Sequence, residues 1–266
     1  MKFSPYSFSK QSTFEQCPAK FKFQYIDKIK TEFKMNDILE KGSFIHLILE
    51  EFAKNNGVFP DNIEYNFRHS SEEQIQEYKE IANNFIFSEI GYNYLNNELG
   101  KFFGAEVEFG VKIDDSGKWV STNYYDKKVL FRGKIDHANK YDNIMELLDW
   151  KTGKINESPQ VLQLIMYAVW CFLKFPEVDE VHTAFVYIEH SSEKRYTFKR
   201  KMLKALQATI ARKLIEIELE EKFEKHEDGL CQFCQFRLAG VCEETSNDEF
   251  ITDMMKYSYN YSNKEY

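Results

Sequence analysis

Glycine and proline are scarce in this chain, 11 and 5 among 266 residues, and no stretch concentrates them. That excludes collagen-like, linker-rich and low-complexity architectures. Long apolar runs are missing as well, and none approaches the roughly 20 residues that a membrane span needs. The opening Met1-Lys2-Phe3-Ser4-Pro5-Tyr6 lacks the apolar stretch of a secretory signal. The expectation is a soluble, cytoplasmic protein with no membrane partner. Positive charge is in deficit, 35 Lys and Arg against 43 Asp and Glu, for a net charge of −8. Aromatic residues, by contrast, are plentiful: 24 Phe, 16 Tyr and 3 Trp, or 16% of the chain. Such content suits a packed core and equally a surface that stacks nucleobases. With 43% hydrophobic and 29% charged residues the chain reads as globular. Its length allows one large domain or a core with an added lobe.

The net charge argues against a nucleic-acid partner, but its distribution does not. Between Lys194 and Lys213 stand eight Lys and Arg and no acid. From Leu214 to Asp228 there are seven acids and two lysines, and after Cys242 six acids and two lysines. Local fields rather than the total steer a polyanion. Arg195, Lys199, Arg200, Lys201 and Lys204 are therefore candidates for phosphate contact. The plain alternative is a solvated basic helix face.

No internal repeat or long linker is visible. A serine-capped helix begins near Ser7, and Pro18 opens a second turn carrying Phe21, Phe23 and Tyr25. Apolar spacing predicts a helix over about 41–54 and another over about 71–99. Alternation then predicts strands at 105–113, 128–138 and 144–150, the last two joined by the turn Lys140-Tyr141-Asp142-Asn143. Ser158-Pro159 is expected to cap a helix running to about Leu173. A fourth strand at 181–188, a fifth at 195–198 and a basic amphipathic helix over about 199–222 complete the pattern. This order is that of an α/β sandwich around a mixed sheet.

Asp136 and Asp149 sit near the ends of consecutive strands, with Lys151 two residues on. Alternation puts Asp149 and Lys151 on one side and Trp150 on the other. If the two strands pair as a hairpin, Asp136 approaches Asp149. Carboxylates held that close repel unless a cation lies between them, and oxygen ligands suit Mg²⁺ or Mn²⁺. A lysine beside such an ion can position water and stabilise charge on a phosphoryl group. Taken alone, two acids and a lysine on strands are also a common structural arrangement.

Four motifs in order extend this reading: Gly42-Ser43-Phe44-Ile45-His46, Gly133-Lys134-Ile135-Asp136, Asp149-Trp150-Lys151-Thr152-Gly153, and Gln163-Leu164-Ile165-Met166-Tyr167. Together they resemble the RecB-like branch of the PD-(D/E)XK nuclease superfamily, over about Tyr6 to Cys242. The resemblance implies an α/β restriction-endonuclease-like core, a mixed central sheet flanked by helices. One unit would span 1–266, with a helical N-terminal lobe at 7–99 and a catalytic core at 100–222. A Cys-rich closure and acidic tail would follow at 223–266. It implies His46, Asp136, Asp149 and the Trp150 carbonyl as metal ligands, and Lys151 as the group that orients the attacking water. Gln163 and Tyr167, at i and i+4 on one helix face, would hydrogen-bond phosphate and support Lys151. Glu106 matches a strand acid of the family, although Glu108 shares its parity.

The five cysteines are Cys17, Cys171, Cys231, Cys234 and Cys242. In a cytosolic chain, C-x₂-C reads as metal or redox before disulfide. One cysteine near the start and three near the end resemble the iron–sulfur staple of RecB-like nucleases, which implies a [4Fe–4S] cluster on Cys17, Cys231, Cys234 and Cys242. The final x₇ spacing is longer than the usual x₅, and zinc in a Cys₄ site fits the same ligands. Cys171 lies in an apolar helix and reads as a buried free thiol.

The activity so implied is exonucleolytic hydrolysis of DNA, single-stranded or at the end of a linear duplex, in recombination, repair or phage DNA processing. The absence of a G-x-x-x-x-G-K-[ST] loop assigns any unwinding to a separate helicase or recombinase partner. An endonuclease or nickase on the same core and a catalytically idle nucleic-acid-binding protein are the alternatives. A thioredoxin-like redox protein lacks its strand–C-x-x-C–helix context.

Overall fold

Caps and apolar spacing account for most of the helices. The computed structural model describes residues 2–31, 37–59, 63–96 and 101–242. The acidic tail expected after Cys242 lies outside the described residues, as does the end of the helix expected at 71–99. The described helices are α1 (Phe8–Gln16), α2 (Pro18–Phe21), α3 (Asp37–Lys54), α4 (Glu72–Ile86), α5 (Glu89–Leu95), α6 (Leu162–Lys174), α7 (Leu203–Leu219) and α8 (Gln235–Leu238). The strands are β1 (Phe102–Ile113), β2 (Trp119–Thr122), β3 (Val129–Tyr141), β4 (Ile144–Lys151), β5 (Glu180–Tyr187) and β6 (Ser192–Lys199). By contact the chain divides into two units, Met1–Ser12 with Met35–Glu221, and Thr13–Lys34 with Lys222–Tyr266.

In the larger unit one six-stranded sheet runs in the order β2-β1-β3-β4-β5-β6. Every pairing is antiparallel except β4 with β5, which α6 connects as a crossover. Trp150 of β4 packs on Phe85 of α4 and Tyr94 of α5, whereas its neighbour Asp149 meets Tyr167 of α6. Alternation along the strand therefore puts these helices on opposite faces of the sheet. The mixed sheet flanked by helices is the α/β architecture expected of a PD-(D/E)XK core.

Phe44, Ile45, Ile48, Leu49 and Phe52 of α3 are buried at helical spacing against Phe85, Leu95, Leu148 and Val186. Where one helix is expected over 71–99, two form. Ser71 and Gln74 make a reciprocal capping box for α4, and Ser88 accepts the Gly91 N–H at 3.1 Å to start α5. The junction is tight: a Cβ on Gly91 would fall 1.9 Å from the Phe85 carbonyl oxygen. Glu40 of α3 is fully buried and accepts from the backbone N–H groups of Arg68, His69 and Ser70 and from the Ser70 hydroxyl. It thus fixes the segment that leads into α4.

Three boundaries differ from the sequence pattern. The helix expected at Ser158-Pro159 begins at Leu162, because Asn156 Oδ1 takes the Ser158 N–H at 3.0 Å and holds a turn there. The basic helix expected from Lys199 begins at Leu203. Pairing of β6 with β5 continues to Lys199↔Glu180, and Arg200–Met202 form a 3₁₀ turn. The short strand β2 was absent from the sequence pattern.

In the smaller unit the two distant stretches are joined by aromatic packing and backbone hydrogen bonds. Phe21 and Phe223 stack with centroids 6.2 Å apart, and Phe23 meets Phe236 at 5.4 Å. The Ala19 N–H donates to the Glu224 carbonyl at 3.3 Å.

Candidate active site

β3 and β4 pair from Tyr141↔Ile144 to His137↔Leu148 and then part. One step beyond that last pair, Asp136 stands opposite Asp149. The Trp150 N–H would next seek a carbonyl on β3; instead it donates to Asp136 Oδ2 at 2.6 Å. A side-chain oxygen so replaces a ladder acceptor and satisfies the donor at the fork. The Trp150 carbonyl accepts from the imidazole of His46. His46 projects from α3, with Nδ1 3.7 Å from Asp136 Oδ1. One turn earlier, a Cβ on Gly42 would stand 3.2 Å from Thr152 Oγ1, so α3 reaches the end of β4 most easily with glycine there.

Glu106 lies between the pairs Ala105↔His137 and Val107↔Ile135, opposite Asp136. Its φ of 51° is in the left-handed region, uncommon for a residue with a side chain and frequent at functional sites. One ligand atom each from His46, Glu106 and Asp136 lie within 4.8 Å of one another. Glu108 instead accepts from the Tyr125 hydroxyl at 3.3 Å. The residue that parity could not choose is therefore the one with the irregular backbone.

Asp149 has different partners. Its Oδ1 accepts from Gln163 Nε2 and from the Tyr167 hydroxyl, which lie one turn apart on α6. Gln163 Nε2 also donates to the Tyr167 oxygen at 2.8 Å. Asp149 Oδ2 lies 2.5 Å from Lys151 Nζ, outside hydrogen-bond alignment, and is otherwise without a partner. Gln163 Oε1 is likewise buried without a partner.

Burial pushes the Asp136 carboxyl well above the usual carboxylate range, and Asp149 and Glu106 add to the rise. Burial also lowers His46, with Lys151 adding to that effect, so the imidazole is neutral at neutral pH. With one ring N–H on the Trp150 carbonyl, the other nitrogen keeps its lone pair. Burial, Asp149 and Asp136 together raise Tyr167, which stays a hydroxyl donor.

These groups fit a divalent cation. Ligands on an octahedral ion with bonds of about 2.0–2.1 Å stand about 3–4 Å apart, within the separation seen here. An imidazole nitrogen with two carboxylates suits Mg²⁺ or Mn²⁺, and the excess negative charge and orphaned buried oxygens at Asp149 and Gln163 point the same way.

The model of the PD-(D/E)XK nuclease superfamily matches residues 5–243. The chain belongs to that superfamily. Membership implies a metal-dependent nuclease acting on phosphodiester bonds, with DNA as substrate. No curated protein sequence matches the chain. A solved structure described as the crystal structure of SSO0001 shares 14% identity over 88% of this chain and 94% of that one, with a TM-score of 0.32. No helix among the described residues is long and apolar enough to cross a membrane.

Within the basic block, Arg195 pairs with Ala184, which pairs with Leu148 next to Asp149, but Lys199 stands farther along the sheet. Lys199 pairs with Glu180, which pairs with Ile144, whereas Asp149 pairs with Phe185. Five strand residues separate the two ends, about 17 Å at 3.3 Å per residue. Arg200 is a correction: its guanidinium donates to the carbonyls of Phe172, Phe175 and Val178, and so closes the end of α6. Arg195 holds Glu193 and the Tyr94 hydroxyl, and Lys199 lies 3.7 Å from Glu180. Lys201 and Lys204 are exposed.

The smaller unit holds the four expected cysteines, each partly exposed. Cys17 caps α2, and its sulfur accepts from the backbone N–H of Lys20 at 3.5 Å and of His226 at 3.4 Å. Cys231 Sγ accepts from Asp228 N–H at 3.4 Å. Burial raises the Cys242 thiol; Lys225 opposes this, and Cys17, Cys234 and Cys231 each add to the rise. The four thiols are thus electrostatic neighbours, yet no three sulfurs among the described residues come within 4.8 Å of one another.

Proposed function

We propose that this protein is an exonuclease of the RecB-like branch that hydrolyses linear DNA with Mg²⁺ or Mn²⁺. The observation that carries the reading is the convergence of His46, Glu106 and Asp136 at the strand fork, beside the Asp149–Lys151 pair. His46, Asp136, Asp149 and the Trp150 carbonyl, joined by Glu106, are the groups that would hold the ion. Such an ion supplies Lewis-acid stabilisation of the charge that develops on the phosphate. Lys151 Nζ orients the attacking water and faces the same charge. Gln163 and Tyr167 are positioning residues: both fix Asp149 Oδ1, and Asp149 in turn holds the ammonium of Lys151. The helices α3–α5 cover one face of β4 as far as Trp150. We read α3, which brings His46 to the fork, as a cover that admits a strand end more readily than an internal duplex segment. The substrate is single-stranded DNA or the end of a linear duplex, with unwinding left to a helicase or recombinase partner.

We assign Cys17, Cys231, Cys234 and Cys242 to a [4Fe–4S] cluster. N–H groups aimed at Cys17 and Cys231 sulfur suit ligating thiolates. On a single zinc, four sulfurs at about 2.3 Å would stand about 3.8 Å apart, whereas no three thiols among the described residues lie within 4.8 Å of one another.

Anaerobically purified protein, incubated with end-labelled linear DNA and with covalently closed circles, tests the activity. Linear DNA should be degraded only with Mn²⁺ or Mg²⁺, and closed duplex circles spared. Cutting of closed circles would select an endonuclease or nickase. Binding without cleavage would select an idle nucleic-acid-binding protein.

A further inference from the structure

We propose that Tyr124, Tyr125, Arg132 and Lys134 form a substrate platform that holds nucleotides of the bound strand upstream of the cutting site, by base stacking and phosphate contact. The proposal rests on the nuclease reading of the site and adds where the strand lies.

Past the fork, β3 continues alongside β1 without β4. A row of contacts leads from the metal-ligating triad along these two strands. Glu106 lies 3.4 Å from Lys134 Nζ, Lys134 Nζ lies 3.9 Å from Glu108, and Glu108 accepts from the Tyr125 hydroxyl. Arg132, four residues before Asp136, lies 4.4 Å over the ring of Tyr124 and donates to the Tyr124 carbonyl. Four strand residues span about 14 Å, the advance of about four nucleotides along a duplex strand at 3.4 Å each.

The segment that presents the tyrosines is rigid. Asp126 accepts from Lys112, the Thr122 hydroxyl and the Lys128 N–H, which hold its carboxyl below the usual range. Tyr125 is nevertheless 71% exposed, with its ring 4.9 Å from that of Tyr124. An exposed tyrosine on a braced turn, beside a half-buried one backed by a guanidinium, is surface that a protein core does not require. It matches the π-face of a base and the charge of a phosphate. Beside it lies a concavity of about 450 Å³ lined by Glu108, Thr122, Asn123, Tyr124, Trp170 and Lys174, with room for a base that leaves the stack. Every base has a π-face, so the platform grips a strand without reading its sequence. It also places the substrate on the β1–β3 extension rather than on the basic side chains from Lys199 onward, at the other end of β5.

Single-stranded oligonucleotides carrying the fluorescent base 2-aminopurine at successive positions test this, with Ca²⁺ as the metal. Wild-type protein should quench the probe at one or two positions a few nucleotides from one end. Tyr125→Ala with Tyr124→Leu should abolish that quenching and weaken binding about tenfold, the worth of one stacked base. In Mn²⁺ the loss should appear in KM. Tyr125→Phe keeps the ring and should keep both quenching and affinity. Arg132→Gln should lower the slope of log affinity against log salt by about 0.7. Unchanged affinity and quenching in the double variant overturn the platform, as does a wild-type protein that binds no oligonucleotide. Wild-type protein that binds and quenches but never cleaves in Mn²⁺ overturns the nuclease reading and leaves the platform standing.

Discussion

At the residue scale, the proposed site separates into groups that would hold the ion and groups that would serve the water. Glu106 and Asp136 set carboxylate oxygens beside His46, whereas Lys151 Nζ stands against Asp149. Asp136→Asn and Glu106→Gln should therefore weaken Mn²⁺ binding at least tenfold, read by calorimetric titration, and reduce cleavage with it. Lys151→Ala should lower turnover by about 10²–10³, as loss of one charge-stabilising donor does, while Mn²⁺ affinity stays near that of the wild type. Equal loss of metal affinity in all three would abolish this division of roles. Most of these positions are legible in sequence because each obeys a fixed period. Asp149 and Lys151 share a strand face, Gln163 and Tyr167 share a helix face, and Asp136 follows from a hairpin register. Glu106 was only half legible. Parity treats it and Glu108 alike, since parity presumes an extended backbone, and the φ of 51° at Glu106 breaks that premise. The basic block was legible as charge but not as place. A run of positive charge shows no register, and pairing of β6 sets Arg195 level with Leu148 but Lys199 at the Glu180 end of β5, with Arg200 closing a helix.

At the element scale, α3 carries both the imidazole proposed to hold the ion and the carboxylate that sets the course of the chain into α4. Burial would raise the Glu40 carboxyl, but the Ser70 hydroxyl and the N–H groups of Arg68, His69 and Ser70 outweigh it and hold it below its ordinary value. A carboxyl whose folded value is depressed stabilises the fold above its unfolded pKa, about 4.3, and loses that contribution as the pH falls through the folded value. Glu40→Gln should therefore lower the melting temperature by several degrees at pH 7. The gap between variant and wild type should close on acidification below about pH 4. A gap independent of pH would show that the amide fails by shape rather than by charge. The strands that build the sheet were legible to within a few residues, because half-buried strands alternate. β2 was not, since Trp-Val-Ser-Thr is too short for a period to show. The break between α4 and α5 was hidden for a related reason. Apolar residues continue through Phe87 and Ile90 at helical spacing, and only Ser88 and Gly91 mark the new cap.

At the scale of the whole molecule, the smaller unit is made from two stretches that lie at opposite ends of the described chain. Cys17 and Cys231 are 214 positions apart, and every nuclease residue lies between them. A metal cluster shared by these cysteines would close almost the whole chain into one loop. Closure entropy grows only logarithmically with length, so the constraint on the unfolded chain reaches about 5.4 kcal/mol on the analogy of a disulfide. For a chain of this size that corresponds to roughly 10 °C in melting temperature. Protein purified without oxygen should then be brown and carry four irons, and should lose colour and about that much thermal stability together in air. Substitution of Ser for any of Cys17, Cys231, Cys234 or Cys242 should reproduce the loss. Cys171 is a control of the same chemistry in a different place. It lies buried in α6, where burial pushes its thiol up to about 12, and Cys171→Ser should leave the iron content unchanged. Four thiolates would occupy every iron of such a cluster, which would then offer no open position to substrate and serve a structural role. Its removal should accordingly lower stability far more than the rate of the surviving folded enzyme. Stoichiometric zinc in a colourless protein would replace the cluster with a Cys₄ site and leave the loop-closure argument intact. Full stability with neither metal would end both.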